Sequence, residues 1–159
     1  MRALSEILTQ MHPGIDLRFF FLTRAADAWL ASCHAQHLHV VRMVMDAATY
    51  AEAHRASADL DAVVDAVSET VSPVPVSRCA LEHSSARPLG PLDPLLDLLD
   101  LPGILRARIV SRPVANSRHD ATILDALLIA NRDHADPEAR KTAKRLILSA
   151  ARTRGRHRP

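Results

Sequence analysis

The residues in this chain best suited to chemistry are those that would hold an anion: Arg24, Asp46, Arg112, Asn116, Arg118 and His119. Each comes just after a short apolar run, where an extended segment would give way to a helix. Thr23, Arg78 and Ser117 fall at the same kind of boundary. In a parallel sheet, ligands sit outside the carboxyl ends of the strands, and the helices that follow present free N–H groups there. Guanidiniums with a carboxylate and an amide suit a phosphorylated or carboxylated small molecule, because arginine grips either group with paired donors. The plainer use of the same residue types is as loop polar groups and helix caps. The leading expectation is therefore a small protein that binds an anionic small molecule at its strand ends, with or without turnover. The sequence assigns it no catalytic residue and no cofactor. Neither GxGxxG nor GxxxxGK[ST] occurs, which excludes ordinary dinucleotide and P-loop nucleotide sites, and no G-x-S-x-G nucleophile turn is present.

A second cationic set lies near the C-terminus. Residues 138–159 hold eight Lys and Arg against one Glu, which leaves twelve against seventeen in residues 1–137. An acidic body thus carries a basic tail. On a helix, Lys141, Lys144, Arg145 and Arg152 share one side, opposite Ala143, Leu146, Ile147 and Ala150, and Arg154, Arg156 and Arg158 prolong the charge. The competing expectation is an interaction module that lays this helix on nucleic acid or an acidic partner. No aromatic residue follows Tyr50, so stacking on single-stranded bases is not expected of the tail. The plainer use of these cations is a solvated helix complementing its own dipole and the acidic body.

The histidines draw attention without making a metal site. Cys33, His34, His37 and His39 form C-H-x-x-H-x-H, but zinc needs three or four convergent ligands, and neither HExxH nor paired CxxC supports them. Imidazoles at a helix C-terminus are the commoner arrangement. His119-Asp120 matches the HD dipeptide of metal phosphohydrolases, yet the acids that follow, Asp125, Asp133 and Asp136, are too near. Asp120 reads better as a helix cap. Leu92–Leu101 contains an LxxLL spacing at Leu95, Leu98 and Leu99, expected to serve the core or a contact between two copies of the chain.

The elements that position these groups depend on the stretch from Ile15 to Ser72, which contains neither glycine nor proline. One reading takes Leu17–Leu22 and His39–Met45 as buried strands, since phenylalanine and β-branched residues fit a pleated surface. The other takes Leu22, Ala26, Trp29, Cys33, Gln36, Val40, Met43, Ala47 and Tyr50 as one face of a long helix. Two further segments favour the strands: Ser72–Arg78, whose prolines suit a sheet edge, and Ile104–Val110, where apolar residues alternate with Arg106 and Arg108. Helices are expected over Ala3–Met11, stopped by His12-Pro13-Gly14; over about Thr23–Gln36; over Ala47–Val71, broken near Ser57, which caps its second part; over Leu92–Leu101; over His119–Asn131; and from Asp136-Pro137-Glu138 to Gly155. The fold expected is α/β, a small and mostly parallel sheet of about four strands flanked by helices with a helix-rich C-terminus. An all-α bundle is the alternative.

At 159 residues the chain is long enough for one core, expected over residues 1–136 with the basic helix of 137–159 packed on it. No apolar run reaches the roughly 20 residues of a membrane span, and the N-terminus lacks a leader's apolar stretch. The expected setting is the cytoplasm, with Cys33 and Cys79, which lack CxxC spacing, as small buried hydrophobes in a reducing compartment.

Overall fold

A computed structural model describes residues 1–110 and 119–156, with side chains as far as residue 153. The chain falls into two compact units: Met1–Ala26 with Asp59–Pro113, and Asp27–Ala58 with Val114–Pro159. The architecture is mixed α/β and dominated by helix. Among the described residues no helix is long and apolar enough to cross a membrane.

The first unit holds the sheet. Helix α1 (Arg2–Met11) ends where expected: the His12 N–H closes on the Leu8 carbonyl at 3.0 Å, and Gly14 turns the chain at φ +84°, a conformation that side chains with a Cβ avoid. Strand β1 (Phe19–Thr23) pairs in parallel with β2 (Val76–Ala80), in a register that sets Phe19 opposite Val76 and Thr23 opposite Ala80. Helix α4 (Leu60–Val71) leads back to β2; it is capped by Asp59, whose carboxylate accepts from the Ala62 N–H at 2.9 Å, and it buries Val64 and Val71. Short helices α5 (Leu81–Ser84), α6 (Leu92–Leu98) and α7 (Gly103–Arg106) follow.

The second unit is helical. It comprises α2 (Ala26–Val40, of which Ala26 belongs to the first unit), α3 (Ala47–His54) with a 3₁₀ turn at Arg55–Ser57, α8 (Ala121–Asp133) and α9 (Pro137–Arg156). Its buried apolar residues include Leu30, Leu38, Tyr50, Leu127 and Ala130. Asp120 caps α8 through the Ile123 N–H at 3.0 Å, and Asp136 caps α9 through the Ala139 N–H at 2.7 Å. Helices α8 and α9, on either side of residue 136, both belong to this unit.

Two of the four expected strands are present among the described residues, each displaced toward its C-terminus. The other two are not strands. His39–Met45 begins as the last turn of α2 and continues as irregular chain, because its carbonyls are taken by side chains instead of a neighbouring strand. Lys144 Nζ donates to the His39 and Val41 carbonyls, Arg132 Nε to that of Val44, and His34 Nε2 to that of Met45. Ile104–Val110 starts in α7 and runs on into turns. The one-turn helix brings Arg106 back onto Asp93 and Asp97, both at 2.6 Å, so the arginine that suggested a solvent-facing strand position is instead anchored to α6. Gly155 does not end α9, which runs to Arg156.

That anchor fastens the loop end of the first unit. Asp93 is buried, accepts from the Leu89 N–H at 2.7 Å and pairs with Arg106, while Asp97 pairs with Arg87 at 2.8 Å. The Leu89 N–H and the Arg106 guanidinium hold the Asp93 carboxyl below its ordinary range; Arg87 and Arg106 do the same for Asp97. Folding therefore favours the ionised acids. Their contribution is complete above the unfolded value near 3.8 and disappears as pH falls below it. Wild type should melt above Asp93→Asn at neutral pH, with the gap closing in acid. A gap that persists unchanged at low pH would show that the ionised pair is not what fastens this end.

Candidate functional site

The site is built around α9 of the second unit. Asp136 and Pro137 start the helix, and Arg140 reaches back to the His134 and Ala135 carbonyls at 3.0 and 2.9 Å, closing the turn from α8. One turn further on, Lys144 points inward and is only 8% exposed. Its ammonium donates to the Val41 carbonyl at 2.8 Å and the His39 carbonyl at 3.2 Å, in and just past the last turn of α2. Helix C-termini leave carbonyls without intrahelical partners and carry the negative end of the dipole, so a buried cation is at home there. Burial and then the charge of Arg140 push the Lys144 ammonium below its usual value.

The His39 ring lies beside this clamp, stacked on His119 with centroids 4.9 Å apart and planes within 13°. Its titration is held below the usual imidazole range by burial first, and then by His119 and Lys144. His39, Val40, Lys141, Lys144, Arg145 and Arg152 border a groove of about 530 Å³, which Arg140, Leu148 and Glu138 also line. Lys141 and Glu138 stand 3.8 Å apart on an exposed face, a pairing worth little. Arg145 and Arg152 are exposed and have no carboxylate partner among the described residues. The groove is thus strongly cationic over an aliphatic floor.

The four tail residues singled out by charge all border this groove, but their roles divide: Lys144 is structural, while Lys141, Arg145 and Arg152 face out. The apolar side differs from expectation as well. Leu146 is 65% exposed, and the inward stripe runs through Ala143, Lys144, Ile147, Leu148 and Ala151. His39 and Arg140 join the groove without having been marked for it by charge or spacing. Arg140 lies four residues before Lys144 and could be found by extending the stripe one turn; His39 sits within a stretch whose texture is that of a strand.

The strand-end residues are placed differently. Arg24 follows β1 in the first unit, with its Nε 3.7 Å from Glu82 Oε1; Glu82, in the short helix after β2, also lies 3.4 Å from the Ala25 N–H. Asp46 belongs to the second unit and caps α3, accepting from the Thr49 N–H at 2.9 Å, a bond that lowers its carboxyl titration. Arg78 lies within β2 and pairs with Asp65 at 2.8 Å. Arg112, Asn116, Ser117 and Arg118 lie outside the described residues, as do the side chains of Arg154, Arg156 and Arg158. Among the described residues of the strand-end set, His119 reaches the groove region through its stack on His39.

The Cys33–His39 motif resolves around Tyr50. The phenol is hydrogen-bonded to His37 Nδ1 at 3.1 Å, and its ring lies against those of His34 and His54. Burial pushes its titration up. Among the described residues no group of three or more His, Cys, Asp or Glu side chains could hold a metal ion. Comparison of the chain with family models, with curated proteins and with solved structures finds no match in any of the three.

Proposed function

We propose that this protein is a binding module for a phosphate-bearing polyanion, duplex nucleic acid in particular, which it holds along the α9 groove. The observation that carries this reading is the pair Arg145 and Arg152, exposed on the groove without a carboxylate partner among the described residues. Along the helix axis Lys141, Arg145 and Arg152 are separated by about 6 and then about 10 Å. Those separations are on the scale of two and three phosphate steps of about 3.4 Å each. Lys144 supports the arrangement from below by fixing α9 to the end of α2, so the exposed cations project from a fastened helix. Among the described residues the groove is lined by no aromatic side chain other than the His39 imidazole, which favours the backbone of a duplex over stacked single-stranded bases.

The strand-end reading has less support. Arg24 already faces Glu82, Asp46 is occupied as a cap, and Arg112, Asn116 and Arg118 lie outside the described residues.

The test is the salt dependence of binding to a labelled short duplex. The logarithm of affinity should fall linearly with the logarithm of salt concentration. Replacing Lys141, Arg145 and Arg152 by alanine should flatten the slope by about 0.9 for every phosphate that the variant no longer neutralises. Wild-type protein that shows no salt-dependent duplex binding overturns the reading; saturable capture of an acidic polypeptide in its place would move the groove to a protein partner.

A further inference from the structure

We propose that the groove takes up a proton together with its anion, through the His39–His119 stack, so that it holds the anion more tightly as pH falls. This inference rests on the reading of the groove as an anion site and adds to it a regulation.

The argument begins with what surrounds His39. From the residue ahead of the α8 cap comes His119, ring against ring at 4.9 Å. From α9 comes Lys144, whose ammonium holds the carbonyl of His39 itself at 3.2 Å; Arg140, Lys141 and Arg145 line the same groove, and Glu138 is its one acid among the described residues. Apart from Glu138, the charged side chains that line the groove with His39 are cations. A proton on His39 would sit beside the Lys144 ammonium, and a second proton on the facing His119 ring would add like-charge repulsion. The two ring planes lie within 13° of parallel at 4.9 Å, an arrangement in which a charge on each ring would repel the other. The depressed titration of His39 agrees with this geometry.

An anion reverses the balance. A phosphate between the α9 cations and His39 supplies the missing counter-charge and favours the imidazolium, which then offers both ring nitrogens as donors. His39 would thus titrate lower in the free protein than in the complex. Between those two values binding consumes a proton, and affinity rises as pH falls. Above both values the histidine stays neutral in either state, and the effect vanishes. One coupled proton limits the slope to about tenfold in affinity per pH unit. His34 and His37 are committed to Met45 and Tyr50 and are not among the groove residues.

The experiment measures duplex affinity of the full chain at fixed ionic strength from about pH 8 to about pH 5.5, the range in which histidine changes charge. It is read as the ratio of affinities across that range within each variant, so that a uniform loss does not matter. Wild type should tighten by about tenfold. His39→Gln should give a flat profile, whatever its affinity at the upper end. His119→Gln, which relieves one neighbour of His39, should shift the rise to higher pH. To guard against a disturbed α2 terminus in His39→Gln, the imidazole resonances of wild type are also titrated by NMR, free and duplex-bound. The His39 midpoint should rise on binding. Duplex binding with a flat wild-type profile, an unmoved His39 midpoint, or an undiminished pH dependence in His39→Gln overturns the inference and leaves the groove standing. No duplex binding at any pH overturns both.

Discussion

Leu127→Ala is expected to cost about 2–5 kcal/mol of stability, read as a lower urea midpoint with the slope unchanged. Leu127 lies in the middle of α8 at 0% exposure, and α8 packs directly against α9. Truncation removes buried methyl groups, and the helices around the hole can close it only in part. The loss is a large share of the roughly 5–15 kcal/mol that separates a typical domain from its unfolded chain. It should also reach the groove, since the α9 cations project from a helix that α8 supports. Duplex affinity should therefore fall in step with the folded fraction and recover at lower temperature. If Leu127→Ala melts like wild type, the packing of α8 on α9 is not the foundation described above.

Asn131→Asp should be as damaging, by a different route. Asn131 is also 0% exposed; its side-chain amide donates to the Leu38 carbonyl at 3.2 Å, and its backbone carbonyl accepts from Arg42 Nε at 3.3 Å. The side-chain oxygen of Asn131 has no hydrogen-bond partner among the described residues. The acid has almost the same shape, so no cavity forms, but the donor to Leu38 is lost and a charge takes its place in a buried site. The expected cost at neutral pH is on the order of 3 kcal/mol. The variant can relieve it by holding a proton, which raises the folded titration of the new acid above its unfolded value. Its stability deficit should accordingly be small below the usual carboxylate range and grow as pH rises through it. A deficit independent of pH would place the defect elsewhere.

Much of the helical framework was legible because its signals are local. The stop at His12-Pro13-Gly14, the caps at Asp120 and Asp136, and the valine stripe of α4 each depend on residues within a turn of one another. The strands expected over Leu17–Leu22 and Ser72–Arg78 form as Phe19–Thr23 and Val76–Ala80, the second overlapping its expected span only at Val76–Arg78. What failed was set by distant partners. His39–Met45 has the texture of a strand, and only the arrival of Lys144 and Arg132 from the other end of the chain shows how the His39, Val41 and Val44 carbonyls are satisfied without one. The alternation at Ile104–Val110 imitates a sheet because Arg106 reaches back to two aspartates, an ion pair that no periodicity records. At the candidate site, the basic stripe of α9 could be read from spacing, whereas the inward turn of Lys144 and the approach of His119 to His39 depend on tertiary packing.

The interleaving of the two units bears on how the protein is made. The chain leaves the first unit at Ala26, returns to it at Asp59, and completes the second only with the segment that contains α8 and α9. A ribosome therefore releases α2 and α3 long before the helices whose side chains satisfy the Leu38, His39, Val41 and Val44 carbonyls. Until then those carbonyls lack their final partners, and a chain with unpaired polar backbone and incomplete packing is the kind of species that chaperones recognise. Neither unit corresponds to a continuous piece of the gene. A single cut yields no intact half, and a fragment of this protein should be soluble only where all three crossings of the chain are kept.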